Sequence, residues 1–462
     1  MSARARSVIL LLPALLIFEC RGPKPPPSFL LFVMDTMRAD ALSPYGAVEG
    51  SSPAFAALAD QGVVYEHAYA HAPWTLPSHA SLFTGLLPGR HGVGLIRTRL
   101  PDSFVTIGEH LHNAGYQTLG VSENIWVSEQ FGTAQGFAEF VYVPRSGPDT
   151  LAAIEDWAKR RKGTTPFFVF VNVIDTHAPY APHGPCAVPA PLPSRIQAPL
   201  RRVCSTASDI ASLPALRALY QCEVRHADAK LGSVYEILSG LDRAGGPLIT
   251  IATSDHGEHL GEHGLLSHQF SLRNALLQVP LLVHGLPDKA PVRVTTPVGL
   301  ASIAPAIAAW AGVDSGWSAK GARLPLEDSA ATAEPVVSVY ADPDAMHSGD
   351  RIGLEMIEQT KALRESCDSD DRVLGGMRAV LQHPFKLIAY ERYPAQLYDL
   401  ASDPEERVDL ASRQPERTAA LSAVLDAHAV ESFGTPTRGG AGPDDEQMIE
   451  ALRALGYVAD PE

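Results

Sequence analysis

The chain has 462 residues, of which 45% are apolar, 19% are charged and 7% are aromatic. Its 37 lysines and arginines stand against 52 aspartates and glutamates, and the net charge of −15 excludes a nucleic-acid-binding protein that works through a general basic surface. The apolar fraction excludes a disordered chain, and no run of about 18 apolar residues indicates a conventional transmembrane helix. At about 100–200 residues per domain, the length predicts two or three structural units or one large α/β domain.

The first residues have the features of an export signal. Arg4 and Arg6 precede an apolar run at residues 8–18, which is too short to span a bilayer. Cys20 follows at the position where a bacterial lipoprotein is cleaved and lipidated, although Glu19 stands where such signals carry a small residue. We therefore predict an exported protein, periplasmic or at the cell surface, either lipid-anchored at Cys20 or without an anchor. Any attachment to a membrane would be through the N-terminus.

Four further cysteines are Cys186, Cys204, Cys222 and Cys367. In an exported protein, four cysteines can form two disulfides in three connectivities. Cys186 and Cys204 bracket a proline-rich loop, residues 185–199, and are the favoured pair. Unpaired, half-buried thiols are the alternative. No Cys-x-x-Cys or Cys/His spacing typical of a metal site is present.

Four apolar runs, at residues 29–34, 117–121, 167–171 and 248–252, end directly in polar residues. Such near-continuous runs are typical of strands buried on both faces of a parallel sheet. The polar residues that follow them are Asp35, then Glu123 and Asn124, then Asp175 and His177, and finally Asp255 and His256.

Helical patterns lie between these strands, at residues 53–60, 103–113 and 216–238 and in a stretch that Asp149 caps. Alternating strands and helices predict an α/β fold with a doubly wound sheet. In such sheets, ligands bind beyond the carboxyl ends of the strands. We therefore expect the polar residues at the strand ends to meet at one edge of the sheet.

Residues 73–85 supply a candidate nucleophile. Pro77 is typical of a first helical turn, which predicts a helix from there through Leu82. Thr75 would then lie just before a helix N-terminus, where free N–H groups and the helix dipole favour an anion. A plain helix cap is the alternative interpretation of Thr75.

Several of these segments match the motifs of one enzyme family in chain order. The matching stretches are residues 33–40, 72–85, 175–180 and 253–264, with a closing motif at 397–405 and a tail at 452–457. Together they resemble the sulfatase family of the alkaline-phosphatase superfamily. The resemblance implies a doubly wound, mostly parallel α/β sheet flanked by helices, completed by a small C-terminal antiparallel sheet plus a helix.

The predicted organisation has four parts. They are an export signal at 1–20, a proline-rich tether at 21–28, a sulfatase-like catalytic domain at 29–315 and a C-terminal subdomain at 316–462 that completes the same fold. Within the last part we expect short antiparallel strands at 378–381, 386–390 and 396–398 and a closing helix at about 444–455.

The sequence departs from the sulfatase pattern at the residues closest to the chemistry. Sulfatases oxidise the Cys or Ser of a C/S-x-P-S-R motif to formylglycine, but Thr75 holds this position, and a secondary alcohol would not give the aldehyde by that route. His79 replaces the arginine of the motif, and Thr36 replaces the second Asp of an N-terminal pair. The family's Lys-x-His sulfate clamp falls near Glu123, where no lysine is present.

This altered set is similar to that of another branch of the superfamily, the lipoteichoic-acid synthases and phosphoethanolamine transferases. Their Thr nucleophile, single acidic residue and Asp-His pair hold one divalent metal. The resemblance implies that the metal ligands are Asp35, Thr75, Asp255 and His256. Mixed oxygen and nitrogen ligands favour Zn²⁺ or Mn²⁺ over Mg²⁺ or Ca²⁺. The resemblance further implies that His177 and His268 contact the phosphate or the leaving group.

The predicted function is that of an exported, metal-dependent hydrolase or transferase that cleaves a phosphoric or sulfuric ester through Thr75, with phosphoester chemistry favoured. The substrate would be an anionic ester of a small molecule, a glycan or a lipid headgroup. Two alternatives stay open. One is a true sulfatase that works without formylglycine, and the other is a catalytically inactive, anchored binding protein.

Overall fold

The apolar runs of the sequence form the strands of an α/β fold in the computed structural model. The structure describes residues 25–94, 99–144, 149–161, 163–180, 204–205, 210–317, 324–328, 334–342, 358, 361, 367 and 372–428. The predicted export signal, Cys186, the proline-rich loop at 185–199 and the closing helix at 444–455 lie outside these residues.

Seventeen strands lie in the described part of the chain. They are β1 (Ser28–Met34), β2 (Gly62–Tyr65), β3 (Ala68–Tyr69), β4 (Gln117–Ser122), β5 (Glu139–Tyr142), β6 (Phe167–Val173), β7 (Leu248–Thr253), β8 (His259–Leu260), β9 (Leu266–Ser267), β10 (Gln278–Val279), β11 (Leu281–His284), β12 (Val292–Val294), β13 (Val298–Gly299), β14 (Val336–Tyr340), β15 (Met377–Gln382), β16 (Phe385–Tyr390) and β17 (Gln396–Asp399).

Eight of these strands form the central sheet, in the order β12-β2-β11-β7-β1-β6-β4-β5. The four strands predicted from apolar runs are adjacent and parallel at its centre, because β1 pairs with both β7 and β6, and β6 pairs with β4. β11 runs antiparallel to both of its neighbours. The prediction of a mostly parallel, doubly wound sheet is therefore confirmed.

Helices cover both faces of this sheet. They are α1 (Pro53–Ala59), α2 (Thr75–Thr84), α3 (Pro88–His91), α4 (Ile107–Asn113), α5 (Thr150–Arg160), α6 (Leu213–Ser239), α7 (Asn274–Leu277), α8 (Ile303–Ala311) and α9 (Pro415–Ala427). Successive residues of β1 enter different cores, since Leu31 packs in the cluster that includes α2, α4 and α8, whereas Phe32 packs with α1, α5 and α6. None of the helices in the described part of the chain is long and apolar enough to cross a membrane.

Three predicted helix starts are wrong. The helix expected from residue 216 begins at Leu213. The helix expected from residue 103 begins at Ile107, because Thr106 forms a capping box in which its hydroxyl accepts from the Glu109 N–H and its own N–H donates to the Glu109 carboxylate. The helix expected from Pro77 begins at Thr75. Thr75 therefore lies in the first turn, where backbone N–H groups have no partner within the helix.

The C-terminal sheet contains the three predicted strands, β15, β16 and β17, and one strand that was not predicted, β14. α9 packs on it through Leu421 and Leu425. Lys386 of β16 is buried, and its Nζ lies 2.7 Å from Oε1 of Glu406 and donates to Oδ1 of Asn274 at 2.8 Å. Asn274, which also donates from its backbone N–H to Glu406 Oε2 at 2.7 Å, thereby attaches this ion pair and the C-terminal sheet to α7. The domain boundary near residue 315 stays a prediction.

The predicted disulfide between Cys186 and Cys204 is wrong. Cys204 is bonded to Cys367, with 5.4 Å between their Cα atoms, although 163 residues separate them in sequence. Cys222 is also disulfide-bonded, so the alternative of unpaired thiols is wrong as well. The cysteine nearest in sequence is not the partner of Cys204. An antiparallel bridge with Leu265 places Cys204 against the core cluster in which Cys367 is buried.

Candidate active site

The carboxyl ends of β1, β4, β6 and β7 carry the predicted polar residues to one edge of the central sheet. The chain continues the sheet bonding beyond these ends, since the Asp35 N–H donates to Val173 and the Glu123 N–H to Asn172. Thr75 reaches the same edge from the start of α2, where Ser78 Oγ donates to the Asp255 carbonyl at 2.6 Å. The edge therefore holds the predicted nucleophile and the predicted metal ligands together.

Asp35, Asp255 and His256 each offer one ligand atom, and these atoms lie within 4.8 Å of one another. Asp35 Oδ1 and Asp255 Oδ2 are buried and accept no hydrogen bond. His256 donates from Nδ1 to the Gly257 carbonyl at 2.9 Å, so its Nε2 carries a lone pair. Nε2 lies 3.3 Å from Asp255 Oδ2 and 3.9 Å from Asp35 Oδ1. Three buried lone-pair donors at this spacing fit a divalent cation.

The second oxygen of each carboxylate is fixed by the protein. Asp255 Oδ1 accepts from the backbone N–H groups of Thr36 at 3.2 Å and His256 at 2.9 Å. Asp35 Oδ2 accepts from Asn124 Nδ2 at 2.7 Å. Thr36 has a φ of 60°, which is uncommon for a β-branched residue and is typical of strain held at a functional site. Its main chain, not its side chain, therefore supports Asp255.

Burial makes the negative charge of this cluster costly without a cation. It raises the pKa of Asp35 to about 8, with a further contribution from Asp255, and raises the pKa of Asp255 to about 7. Burial lowers the pKa of His256 to about 4, so the ring is neutral at pH 7 and available as a ligand. Buried carboxylates are normally paired or bound to metal, and here a bound dication would supply the missing charge.

Thr75 is fully buried and lies next to His256, one of the three candidate ligands. Its Oγ1 is 3.5 Å from His256 Nε2 and 3.4 Å from Asn124 Nδ2. The orientation of the Asn124 amide is fixed, because its Oδ1 accepts from the Trp126 N–H at 3.0 Å. The NH₂ group of Asn124 is therefore held as a donor between Thr75 and Asp35.

The two histidines predicted to contact the substrate lie next to this cluster. The His268 ring centroid is 4.7 Å from that of His256 and 5.0 Å from that of His177. His268 Nδ1 donates to Glu258 Oε1 at 3.2 Å, and Tyr180 donates to the other oxygen of Glu258 at 3.4 Å. Glu258 therefore orients the His268 ring.

His79 holds the position of the arginine in the sulfatase motif. Its Nδ1 donates to the Thr75 carbonyl at 2.9 Å, and its Nε2 accepts from Asn172 Nδ2 at 3.1 Å. Burial lowers the pKa of His79 to about 3, so the ring is neutral at pH 7. The replacement therefore takes one positive charge away from the surroundings of Thr75.

The family model named Sulfatase matches residues 27–313. The chain belongs to the sulfatase family. It is therefore an ester hydrolase, and the family predicted from the motifs is confirmed. The described residues that bond to Thr75, Asp35 and Asp255 include no lysine or arginine, so this member carries less positive charge there than the family's motif and clamp would provide.

Similar proteins include the Delta 4,5-hexuronate-2-O-sulfatase of Bacteroides thetaiotaomicron, which is 22% identical over 304 residues covering 56% of this chain and 62% of that protein. The choline-sulfatase of Rhizobium meliloti is 22% identical over 486 residues covering 89% of each chain. Among solved structures, the phosphonate monoester hydrolase of Agrobacterium radiobacter gives a TM-score of 0.68 at 19% identity, covering 87% of this chain and 95% of that one. This structural likeness shows the fold.

Two further interactions were missed by sequence reasoning. Glu123 pairs with Lys230 of α6 at 2.7 Å, and Lys230 also lies 3.0 Å from Asp175. Nothing in the helical pattern distinguishes Lys230 from a surface lysine. The sequence placed Asn124 at the sheet edge but gave it no role, and its position directly after a buried strand was the available signal.

Proposed function

We propose that this protein is a metal-dependent hydrolase or transferase that cleaves a phosphoric ester through Thr75. The observation that carries the proposal is the position of Thr75 Oγ1, 3.5 Å from His256 Nε2. The same Nε2 lies 3.3 Å from Asp255 Oδ2 and 3.9 Å from Asp35 Oδ1, two buried oxygens that accept no hydrogen bond. Asp35, Asp255 and His256, with Thr75 Oγ1, would hold the ion. Zn²⁺ and Mn²⁺ suit this mixed set of oxygen and nitrogen donors.

A divalent ion held there would lower the pKa of the Thr75 hydroxyl and stabilise charge on the ester oxygens. Thr75 Oγ, once it has lost its proton to solvent, attacks phosphorus and displaces the leaving alkoxide, which forms a phosphothreonine. His268 or His177 protonates the departing oxygen. Water or an acceptor alcohol then attacks phosphorus and returns Thr75 to its free form. Glu258 orients the His268 ring through the bond from Nδ1. Burial lowers the pKa of His268 to about 3, and the negative charge of a bound ester would raise this pKa and favour the acid form.

The charge of the site favours an ester group with a single negative charge. Asp35 and Asp255 would cancel the charge of a dication, and ionised Thr75 adds one negative charge. The neutral Asn124 and His79 lie where the family clamp and motif provide cations. A doubly charged phosphomonoester would therefore be repelled more strongly than a phosphodiester or a phosphonate monoester.

The purified protein, loaded with Zn²⁺ or Mn²⁺, is expected to hydrolyse a bis-aryl phosphodiester at least about tenfold faster, in kcat/KM, than the corresponding aryl phosphate or aryl sulfate. Chelation should abolish this turnover, and the added metal should restore it. Turnover that persists in the chelated protein would contradict the role of the metal. A preference for the aryl phosphate would contradict the charge argument.

The second candidate function is hydrolysis of a sulfuric ester by the unmodified Thr75. It is supported by membership of the sulfatase family and by the sulfatases among the similar proteins. A sulfate ester is also singly charged, so the charge argument does not separate the two. Faster turnover of the aryl sulfate than of the diester would establish this candidate and remove the preference for phosphorus.

We further propose that the protein is exported and attached, if at all, through its N-terminus. The Arg4 and Arg6 pair, the apolar run at 8–18 and Cys20 support export. The disulfide between Cys204 and Cys367 is consistent with an oxidising compartment. In fractionated bacterial cells, the full chain is expected outside the cytoplasm, and Cys20→Ser should release any membrane-bound fraction. Accumulation of the intact chain in the cytoplasm would contradict export.

A further inference from the structure

The β8–β9 hairpin carries Glu258 and His268 at its open end. Glu258 directly precedes β8 and His268 directly follows β9, and the pairing of His259 with Ser267 brings the two ends together. The bond from His268 Nδ1 to Glu258 therefore depends on the register of this two-residue ladder. Any shift of the hairpin would move the His268 ring relative to Thr75.

The backbone around His268 needs outside support. Ser267 has a φ of 65° and Gln269 a φ of 89°, so residues on both sides of His268 are in the left-handed region that non-glycine residues rarely adopt. Such conformations persist only where surrounding contacts determine them. On one side the support is visible, because the Gln269 N–H donates to the Pro73 carbonyl at 3.1 Å, two residues before Thr75.

The closed end of the hairpin is supported by the segment that contains Cys204. Cys204 forms an antiparallel bridge with Leu265, and the Ser205 N–H donates to the Gly264 carbonyl at 2.7 Å. These contacts act on the residues directly before β9, three to four positions from His268.

The disulfide fastens that support to the core. Cys367 is 3% exposed and lies in the same apolar cluster as Phe270 and Leu272, which follow His268 along the chain. The bond from Cys367 to Cys204 therefore holds the segment that contacts the hairpin against the cluster in which the His268 loop is buried.

We propose that the Cys204–Cys367 disulfide is a positioning element for His268. It acts through the β8–β9 hairpin and does not contact the substrate. The proposal rests on the proposed function, with His268 and not His177 as the group that protonates the leaving oxygen. Loss of the disulfide should therefore weaken proton delivery while the metal ligands and Thr75, which are held by β1, β7 and α2, keep their places.

The test compares two phosphodiesters that transfer the same phosphoryl group to Thr75. One releases 4-nitrophenol, and the other releases an unactivated alcohol. Cys367→Ala is expected to lower kcat for the alcohol leaving group about tenfold and for 4-nitrophenol less than about threefold, because only the poor leaving group needs the proton. Cys204→Ala and the double variant should match Cys367→Ala. The bound metal should be unchanged. Cys222→Ala, which removes another disulfide-bonded cysteine, serves as the matched control and should leave the ratio of the two rates unchanged.

If Cys367→Ala lowers kcat equally for both diesters, or lowers neither, the proposal is overturned and the disulfide has only a structural role. His268→Ala separates this failure from a failure of the proposed function. If His268→Ala lowers the two rates by the same factor, His268 is not the acid, and the fault lies in the role that the proposed function gives to His268 and not in the disulfide. Should Cys367→Ala not fold, mild reduction of the folded Cys222→Ala protein provides the same comparison.

Discussion

Thr75→Ala is expected to lower kcat by about 10³-fold or more while the protein still binds its metal. The substitution removes the only atom of residue 75 that can bond to phosphorus or sulfur. It leaves Asp35, Asp255 and His256 in place, since their oriented atoms are fixed by backbone groups and by Asn124. Metal content by elemental analysis and kcat for the preferred diester measure the two effects separately.

Thr75→Ser is the matched control, because it keeps the hydroxyl oxygen and removes one methyl group. It should retain turnover within about tenfold of the wild type. Acid quenching during turnover should leave the added group on the peptide that contains residue 75 in the wild type and in Thr75→Ser. Thr75→Ala protein that still turns over, or a label on another peptide, would remove Thr75 as the nucleophile.

The central sheet could be predicted because burial on both faces makes its strands long apolar runs. β1, β6 and β7 each follow this rule, and the structure places them side by side. β12 and β14 were missed for different reasons. β12 has only three residues and is partly exposed, and β14 lies in a stretch without a clear periodic pattern.

The candidate site was predictable where function depends on the end of a strand. Asp35, Asp255 and His256 lie just beyond the carboxyl ends of buried strands. Because ligands bind beyond these ends in such sheets, the sequence alone predicted that the three residues lie close together. Contacts set by long-range packing could not be read from the sequence. The ion pair of Lys230 with Glu123 joins residues 107 positions apart. The partner of Cys204 was likewise decided by the tertiary fold and not by a nearby cysteine.

Asp35→Asn is expected to abolish metal binding and turnover and yet to stabilise the metal-free protein above neutral pH. In the folded, metal-free state, burial and the neighbouring Asp255 raise the pKa of Asp35 to about 8, whereas in the unfolded chain the same carboxyl titrates near its ordinary value of about 4. The folded state therefore keeps a proton that the unfolded state loses.

This difference in bound protons makes the metal-free protein less stable as the pH rises. The free energy of unfolding is highest below pH about 4 and falls as the pH rises through the folded pKa of about 8, at up to about 1.4 kcal/mol per pH unit for one such group. Asparagine carries no titrating proton, so it removes this part of the pH dependence. A bound dication removes it as well in the wild type, because the carboxylate is then paired.

Urea unfolding in chelator at about pH 5 and about pH 8.5 measures the effect. The wild type should lose stability between the two pH values, and Asp35→Asn should lose less. Excess Zn²⁺ should stabilise the wild type at the higher pH and leave Asp35→Asn nearly unchanged. Asp60→Asn, at an exposed carboxylate at the end of α1, is the control and should follow the wild type throughout. If the stability of Asp35→Asn and of the wild type depends equally on pH, the buried charge of Asp35 does not destabilise the metal-free protein. That result would contradict a cluster of carboxylates that needs a bound cation.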